Sequence, residues 1–204
     1  LKPLAEDALS LPVRTGKARV IGIEPASLVT KSLVREVKTD DAGCFQSALN
    51  PGLTKIAVIE RHKRTGKRGI GILEGYGLTG GAIATTISHD SHNIVVAGDN
   101  DPDMLLAVRE LADMGGGIVS VHGGAIRRLP LPIAGLMTSA DPQEVNAVLH
   151  DMLVAARAEL GIPEDVEPFM TLSFMALPVI PELKLTARGL FNVNTFSFVG
   201  VEAD

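Results

Sequence analysis

The sequence predicts an α+β domain with a mixed or mostly antiparallel sheet and two main helices packed on one face of it. Two observations support this prediction. Short apolar runs typical of strands dominate the chain up to residue 97. Two later segments carry apolar stripes of helical period and begin with helix caps. Because two helices are too few to cover both faces of a sheet, we expect them on the same face.

The strand predictions rest on short apolar or alternating runs bounded by turn residues. The runs that precede the first helix are 18–23, 33–38, 56–60, 69–73, 82–87 and 94–97. Residues 39–54 contain Asp, Gly, Asn and Pro and are predicted to form a loop. Two more strands, 118–122 and 125–129, flank the dipeptide Gly123-Gly124, which is typical of a tight hairpin.

Both helices have recognisable ends. The first, at about 102–114, has Asn100 or Asp101 as its cap and Pro102 in its first position. The second, at about 142–160, begins after Ser139 or Asp141 and ends before a glycine. The tail, 169–198, mixes short apolar runs with prolines and is predicted to form strands or extended cover over the core. Residues 1–17 are interpreted as a lead-in segment, which places the domain at 18–204.

Composition limits the class of protein. The chain has 204 residues, of which 46% are hydrophobic and 21% charged, so one domain with a sizeable core is expected. The net charge is -5, and the basic run 61–64 is too narrow for a nucleic-acid interface, so we expect no nucleic-acid partner. The single cysteine indicates a reducing compartment and a cytoplasmic location.

The longest apolar stretch also argues against a membrane protein. Residues 169–183 are interrupted by Pro178 and Pro181, and no signal peptide is visible, so we expect no membrane association. The chain begins with Leu1 rather than Met, which suggests a fragment of a larger protein.

The first candidate site is the polar cluster 88–93, Ser-His-Asp-Ser-His-Asn, which lies between the apolar runs 82–87 and 94–97. Polar groups set into a segment that is otherwise buried need partners, because an unpaired one costs about 1 to 3 kcal/mol. Such a cost is most readily tolerated at a functional site. We therefore take the candidate catalytic or substrate-contacting residues to be His89, Asp90, His92 and Asn93.

The geometry of this cluster is open at the sequence level. In an extended strand, Asp90 and His92 would share one face, and His89 would lie on the other, so the histidines would not bind one ion together. In a turn, His89 and His92 come onto one side and a metal pair becomes feasible. A third interpretation is a hydrogen-bonded turn between two core strands, with Asn and Asp present for turn chemistry.

Glu60 and His62 are the second pair of candidates. Strand alternation would put them on one face at the end of a strand, either as an acid/base pair or as an ordinary ion pair. The motif G-x-G-x-x-G at 75–80 is followed by a strand-like segment rather than a helix, so it predicts a turn and not a nucleotide site. The chain has no His-x-His, His-Glu-x-x-His or Gly-x-Ser-x-Gly motif, so a complete hydrolytic site is not expected.

Several separate strings together resemble the C-terminal domain of bacterial adenine deaminase. The similarity runs in order through roughly residues 18–198, and its strings are 21–23 with 30–31, 55–62, 75–78 with 81–84, 89–94, 131–137 and 169–174. Adenine deaminases are amidohydrolase-superfamily enzymes that convert adenine and water to hypoxanthine and ammonia. The resemblance implies manganese or iron in a (β/α)₈ barrel, bound mainly by ligands, including a His-x-His, that lie upstream of this domain.

The resemblance also implies partners. These are the catalytic barrel domain of the same polypeptide and adenine as the substrate of the whole enzyme. Apart from the resemblance, a homo-oligomer is a further partner to be tested. Since the upstream metal ligands are missing, we expect the 204-residue chain alone to be inactive. An added domain at a barrel mouth can supply substrate contacts and exclude water, which makes His89, Asp90, His92 and Asn93 the first candidates and Glu60 and His62 the second.

Three hypotheses follow. The chain is an accessory domain that covers or completes the deaminase active site. Alternatively it is a purely structural or oligomerisation domain of the same enzyme, for which an exposed apolar face on the 169–198 tail would be the telling feature. The third hypothesis is a free-standing module that binds a metal or another ligand.

Overall fold

The computed structural model of the protein describes residues 1–203, and its centre is an eight-stranded sheet. The strands of this sheet are β1 Lys17–Ile23, β2 Thr30–Glu36, β3 Leu53–Ile59, β4 Arg68–Glu74, β5 Gly81–Thr85, β6 Ile94–Gly98, β7 Gly117–His122 and β8 Ala125–Pro130. Their order is β2-β1-β4-β3-β6-β5-β7-β8, and every neighbouring pair is antiparallel except β1 with β4. The predicted α+β class and mostly antiparallel sheet are therefore confirmed.

Both predicted helices are present, at α1 Asp101–Asp113 and α2 Pro142–Ala158. The side chain of Asn100 accepts a hydrogen bond from the backbone of Asp103, and that of Asp141 accepts one from Gln143. Each helix thus has a side-chain cap for one of its free N–H groups. The cap residue is one of the two alternatives named for each helix.

A third helix, α3 Pro168–Phe174, was not predicted. The interpretation of the whole tail as strands or extended cover is wrong for this segment. Pro168 occupies the first helical position, and the carboxylate of Glu167 caps the backbone N–H of Met170. The helix has only seven residues and is mostly apolar, so it has no amphipathic stripe that periodicity could detect.

The two main helices lie on opposite faces of the sheet, so the prediction of one shared face is wrong. Side chains of β6 alternate between two apolar clusters. Ile94 and Val96 belong to the cluster that contains α1, whereas Val95 and Ala97 belong to the cluster that contains residues of α2 and α3. A sheet with both faces buried needs cover on each side. Here α3 and a second small sheet share the second face with α2.

The small sheet consists of β9 Leu183–Thr186, β10 Gly189–Asn192 and β11 Ser197–Val199, which pair in that order. Leu183, Leu185 and Leu190 pack into the same cluster as α2 and α3. This part of the tail is stranded, as predicted. It packs on β2, β3 and β4 of the large sheet.

Two glycine motifs have the predicted roles. Gly123 and Gly124 connect β7 to β8 with φ of 55° and 81°, which a tight hairpin turn requires. The 75–80 motif joins β4 to β5 as a turn. The carboxylate of Asp99 accepts hydrogen bonds from the backbone of Gly80 and Gly81, so it closes this turn.

The lead-in packs against the domain. Leu9, Leu11 and Val13 are buried, and Leu11 and Val13 share a cluster with Phe45 and Val20. The boundary at residue 18 remains a prediction. Within residues 1–203, no helix has the length and apolar character needed to cross a membrane.

Candidate functional site

The polar cluster forms a turn, which we call the 88–93 turn, between β5 and β6 at one end of the large sheet. The backbone N–H of His92 donates to the carbonyl of Ser88 at 2.6 Å and closes the turn. The extended geometry considered above is therefore wrong. Instead His89 and His92 come close together, with 6.0 Å between their ring centroids.

One side of the turn is held by α3. The imidazole of His89 packs on the ring of Phe174, with 4.5 Å between the centroids. The backbone N–H of His89 donates to the carbonyl of Ser173 at 3.0 Å. The unpredicted helix thus supports one of the first-choice candidate residues.

The other side of the turn is held by the segment that follows β3. Because Ile59 pairs with Ile94, the residues after β3 lie beside the turn. Arg61 Nε donates to the carbonyl of His92 at 2.7 Å, and His62 Nε2 lies 3.0 Å from the carbonyl oxygen of Ser91. The structure therefore brings His62 together with the first set of candidates.

Glu60 has a different role from the one its spacing suggested. Its carboxylate accepts hydrogen bonds from the backbone N–H groups of His62, Lys63 and Thr65 and from the Thr65 hydroxyl. These bonds, with that from the Thr65 backbone foremost, lower the pKa of Glu60 to about 2. The carboxylate contacts the backbone of His62 while the His62 ring contacts Ser91, so the proposed side-chain pair is not formed. A carboxylate with so low a pKa is a weak base at neutral pH.

The loop 131–137 borders the same end of the sheet. Arg61 donates to the carbonyl of Ala134 at 2.7 Å, and the Thr86 hydroxyl donates to the carbonyl of Gly135 at 2.6 Å. Ile133 and Met137 on this loop are exposed. The candidate residues predicted from the sequence include neither this loop nor Arg61, which the sequence shows only as part of the short basic run 61–64. Only the similarity strings drew attention to these residues.

The 88–93 turn contains an unusual concentration of buried polar atoms without partners. Within residues 1–203, the buried side-chain atoms without a hydrogen-bond partner are Ser88 Oγ, His92 Nδ1, Asn93 Oδ1 and Ser120 Oγ. Three of these four belong to the turn. Each such atom costs about 1 to 3 kcal/mol if nothing else satisfies it. The turn therefore has hydrogen-bonding capacity that the described residues do not use.

The surroundings of His92 favour the neutral form of its imidazole. Its pKa is lowered from the usual 6.5, first by burial and then by the neighbouring His89 and Arg61 charges. Asp90, which is exposed, acts in the opposite direction but less strongly. A neutral imidazole has one nitrogen that accepts and one that donates a hydrogen bond, so His92 can hold or pass a proton.

Comparison with known proteins decides the family. The model of the adenine deaminase C-terminal domain matches residues 27–197, which is most of the chain. The chain belongs to this family. The adenine deaminase of Nitratidesulfovibrio vulgaris (strain Hildenborough) is 59% identical over 202 residues, and adenine deaminase 2 of Carboxydothermus hydrogenoformans is 48% identical over 202 residues. The adenine deaminase of Clostridium acetobutylicum is 44% identical over 200 residues.

These alignments cover 98% of the chain but only 35% of each relative. The adenine deaminase C-terminal domain described here thus spans about a third of the length of the curated relatives it matches. Its candidate site lies on one end of the sheet.

The side chains that the structure describes assemble no metal centre of their own. Among residues 1–203, no group of three or more His, Cys, Asp or Glu side chains is placed to hold a metal ion. His89 and His92 would provide two ligands, whereas protein zinc sites, for example, use three or four protein ligands. A metal implied by the family would therefore need ligands from elsewhere.

Proposed function

We propose that this chain is the C-terminal part of an enzyme that hydrolyses adenine to hypoxanthine and ammonia. In this proposal the 88–93 turn covers or completes the active site of a preceding barrel domain, and that domain mainly binds the manganese or iron of the enzyme. The family and the relatives named adenine deaminase support the activity. The concentration of unpartnered buried polar atoms in the turn is the observation that supports its role at the site.

The chemistry of the turn suits an active-site wall. A metal bound in the barrel would supply a hydroxide at neutral pH. The imidazole of His92 can hold or move a proton, and Asn93 adds an amide whose oxygen has no partner among the described residues. Barrel active sites lie at the loop-bearing face, where a covering domain excludes water and strengthens such hydrogen bonds.

A purely structural or oligomerisation role is the second candidate. It is favoured by exposed apolar side chains on the 169–198 tail, namely Met170, Val179, Phe196 and Phe198. In that case the turn would contribute to the stability of an interface and not to the reaction. Substitutions in the turn separate the two roles.

The experiment uses full-length enzyme with His92→Ala or Asp90→Ala. We expect kcat to fall by ~10²- to 10⁴-fold, the usual contribution of an acid/base group, while the unfolding midpoint changes little. The midpoint should be nearly constant because Asp90 is exposed and His92 Nδ1 has no partner that would be left unsatisfied. The measurement is kcat per folded, metal-loaded site together with the thermal midpoint.

His150→Ala is the matched control, because His150 is exposed on α2 and is not among the candidate residues. The isolated 204-residue chain is a further control, and we expect it to release no ammonia even with added manganese or iron. Near-wild-type kcat with a clearly lowered midpoint in the turn variants would assign the turn to the core and reject its role at the active site.

A further inference from the structure

Helix α3 is apolar on its outer side as well as its inner side. Phe169 and Leu172 are buried in the core, while Met170 is 55% exposed and Phe174 is half-buried. The helix contains no charged residue. A helix that is hydrophobic on all sides is normally covered by protein on all sides. Among residues 1–203, no element covers Met170 on the outer side of α3 in this way.

A groove of about 420 Å³ runs along this outer side, and we call it the α3 groove. Its apolar lining includes Ile87 and Leu149 as well as Met170 and Phe174. At one end it reaches His89 of the 88–93 turn. The groove and the candidate site therefore share a residue and lie on one continuous surface.

The polar groups that line the groove are mostly engaged within the domain. Glu167 caps the backbone of Met170, the Ser173 hydroxyl donates to the Met170 carbonyl at 2.8 Å, and the Thr85 hydroxyl accepts from Ile87 at 3.0 Å. A polar small molecule would find few groups to orient it. Apolar side chains of a protein partner match this lining better, since pockets for polar ligands need several converging polar groups.

We propose that the α3 groove is a docking surface for apolar side chains of the domain that precedes this chain in the full-length protein. The relatives are about three times as long as the matched region, so most of such a polypeptide lies outside the described structure. A domain seated in the groove would contact His89 directly. The inference rests on the proposed function, because it explains how the turn is brought to the barrel.

Chemical labelling of full-length enzyme tests this docking. Met170→Cys and Val154→Cys, each in a Cys44→Ser background, are treated with a maleimide, and modification of each site is followed by peptide mass mapping. The two positions are matched, since both lie on helices and they are 55% and 51% exposed in this domain. Val154 is not part of the groove lining. We expect Cys at 170 to react at least roughly tenfold more slowly than Cys at 154 in native enzyme, and at the same rate after denaturation.

Three outcomes would overturn the proposal. The first is equal reactivity at the two positions in native enzyme. The second is protection at 170 that disappears when dilution dissociates an oligomer, which would make a second copy the occupant. The third is protection that appears only when adenine is added, which would make the groove a small-molecule site.

The labelling experiment tests the docking surface, and the kinetics of the turn variants test the proposed function, so either can fail without the other. Slow labelling at 170 together with wild-type kcat in the turn variants would retain the docking surface and reject the role of the turn. Fast labelling at 170 together with impaired turn variants would do the opposite.

Discussion

Buried polar side chains in this domain fall into two groups. Those of the first group have partners within the domain: Lys55 Nζ binds Asp101 at 2.5 Å, and Lys184 Nζ donates to the carbonyl of Leu28 at 2.8 Å. Those of the second group, concentrated in the 88–93 turn, each have an atom without a partner among residues 1–203. The sequence could identify the turn because its polar residues interrupt two apolar runs. It could not identify which atoms lack partners, because hydrogen bonding depends on packing between distant segments.

Lys184 offers a test of the first group. It is fully buried, and burial lowers its pKa from 10.5 to about 8. We expect Lys184→Met to raise the free energy of unfolding at pH 7 by about 1 to 3 kcal/mol, because burying the ammonium group costs more than its one hydrogen bond returns.

The difference in unfolding free energy between wild type and Lys184→Met should decrease as the pH rises. Between pH 8 and pH 10.5 the unfolded chain binds the Lys184 proton more tightly than the folded one, so wild-type stability rises with pH relative to the variant. Denaturant midpoints of wild type and Lys184→Met at pH 7 and pH 10 measure this change. Lys67→Met is the control, because Lys67 is exposed. A variant that is less stable than wild type at pH 7 would show that the bond to Leu28 outweighs the cost of burial.

At the scale of elements, apolar periodicity and capping residues predicted most strands and the two capped helices correctly. They did not predict how the helices and the two sheets stack on one another. The caps at Asn100 and Asp141 and the hairpin glycines depend on neighbouring residues only, so the sequence contains them in full. Helix α3 was missed because it lacks a polar side. The prediction that both main helices pack on the same face of the sheet was also wrong. The continuous apolar runs of β5 and β6, buried at every position, are the signal that both faces are covered.

The packing of the small sheet on the large one depends on a glycine. A Cβ on Gly69 of β4 would lie 2.1 Å from the carbonyl oxygen of Thr186, which is backbone of β9. We expect Gly69→Ala to lower the free energy of unfolding by about 1 to 3 kcal/mol, since the two sheets must separate locally. Gly71→Ala on the same strand is the control, because its nearest neighbour would be 3.4 Å away on the flexible side chain of Leu190. Equal effects of the two substitutions in chemical denaturation would contradict this account.

At the scale of the whole molecule, the segment before β1 packs against the core of the domain. Residues before β1 were interpreted as a lead-in, yet Leu9 is fully buried in the cluster that contains α1. This packing was not visible from the sequence because residues 1–17 show no strong period and contact segments far along the chain. We therefore propose that the folded unit begins before residue 18.

Leu9→Ala tests the extent of the folded unit. We expect a loss of about 2 to 5 kcal/mol in the free energy of unfolding, the usual range for a buried leucine. Leu49→Ala is the control, because Leu49 is 42% exposed and its truncation should cost much less. A neutral effect of Leu9→Ala in the denaturant midpoint would support the original boundary at residue 18.

The 88–93 turn lies between β5 and β6, and this position determines how its polar groups could move toward or away from an active site. Both strands are buried throughout, so the two ends of the turn are anchored in the most enclosed part of the sheet. If the preceding domain proposed above is present, a tilt of this domain against it would carry Ser88, His92 and Asn93 as one rigid body. An active site served by this turn would gain or lose all three groups at once. Rigid-body displacement of the domain, and not rotation of single side chains, would then set how often the site is complete.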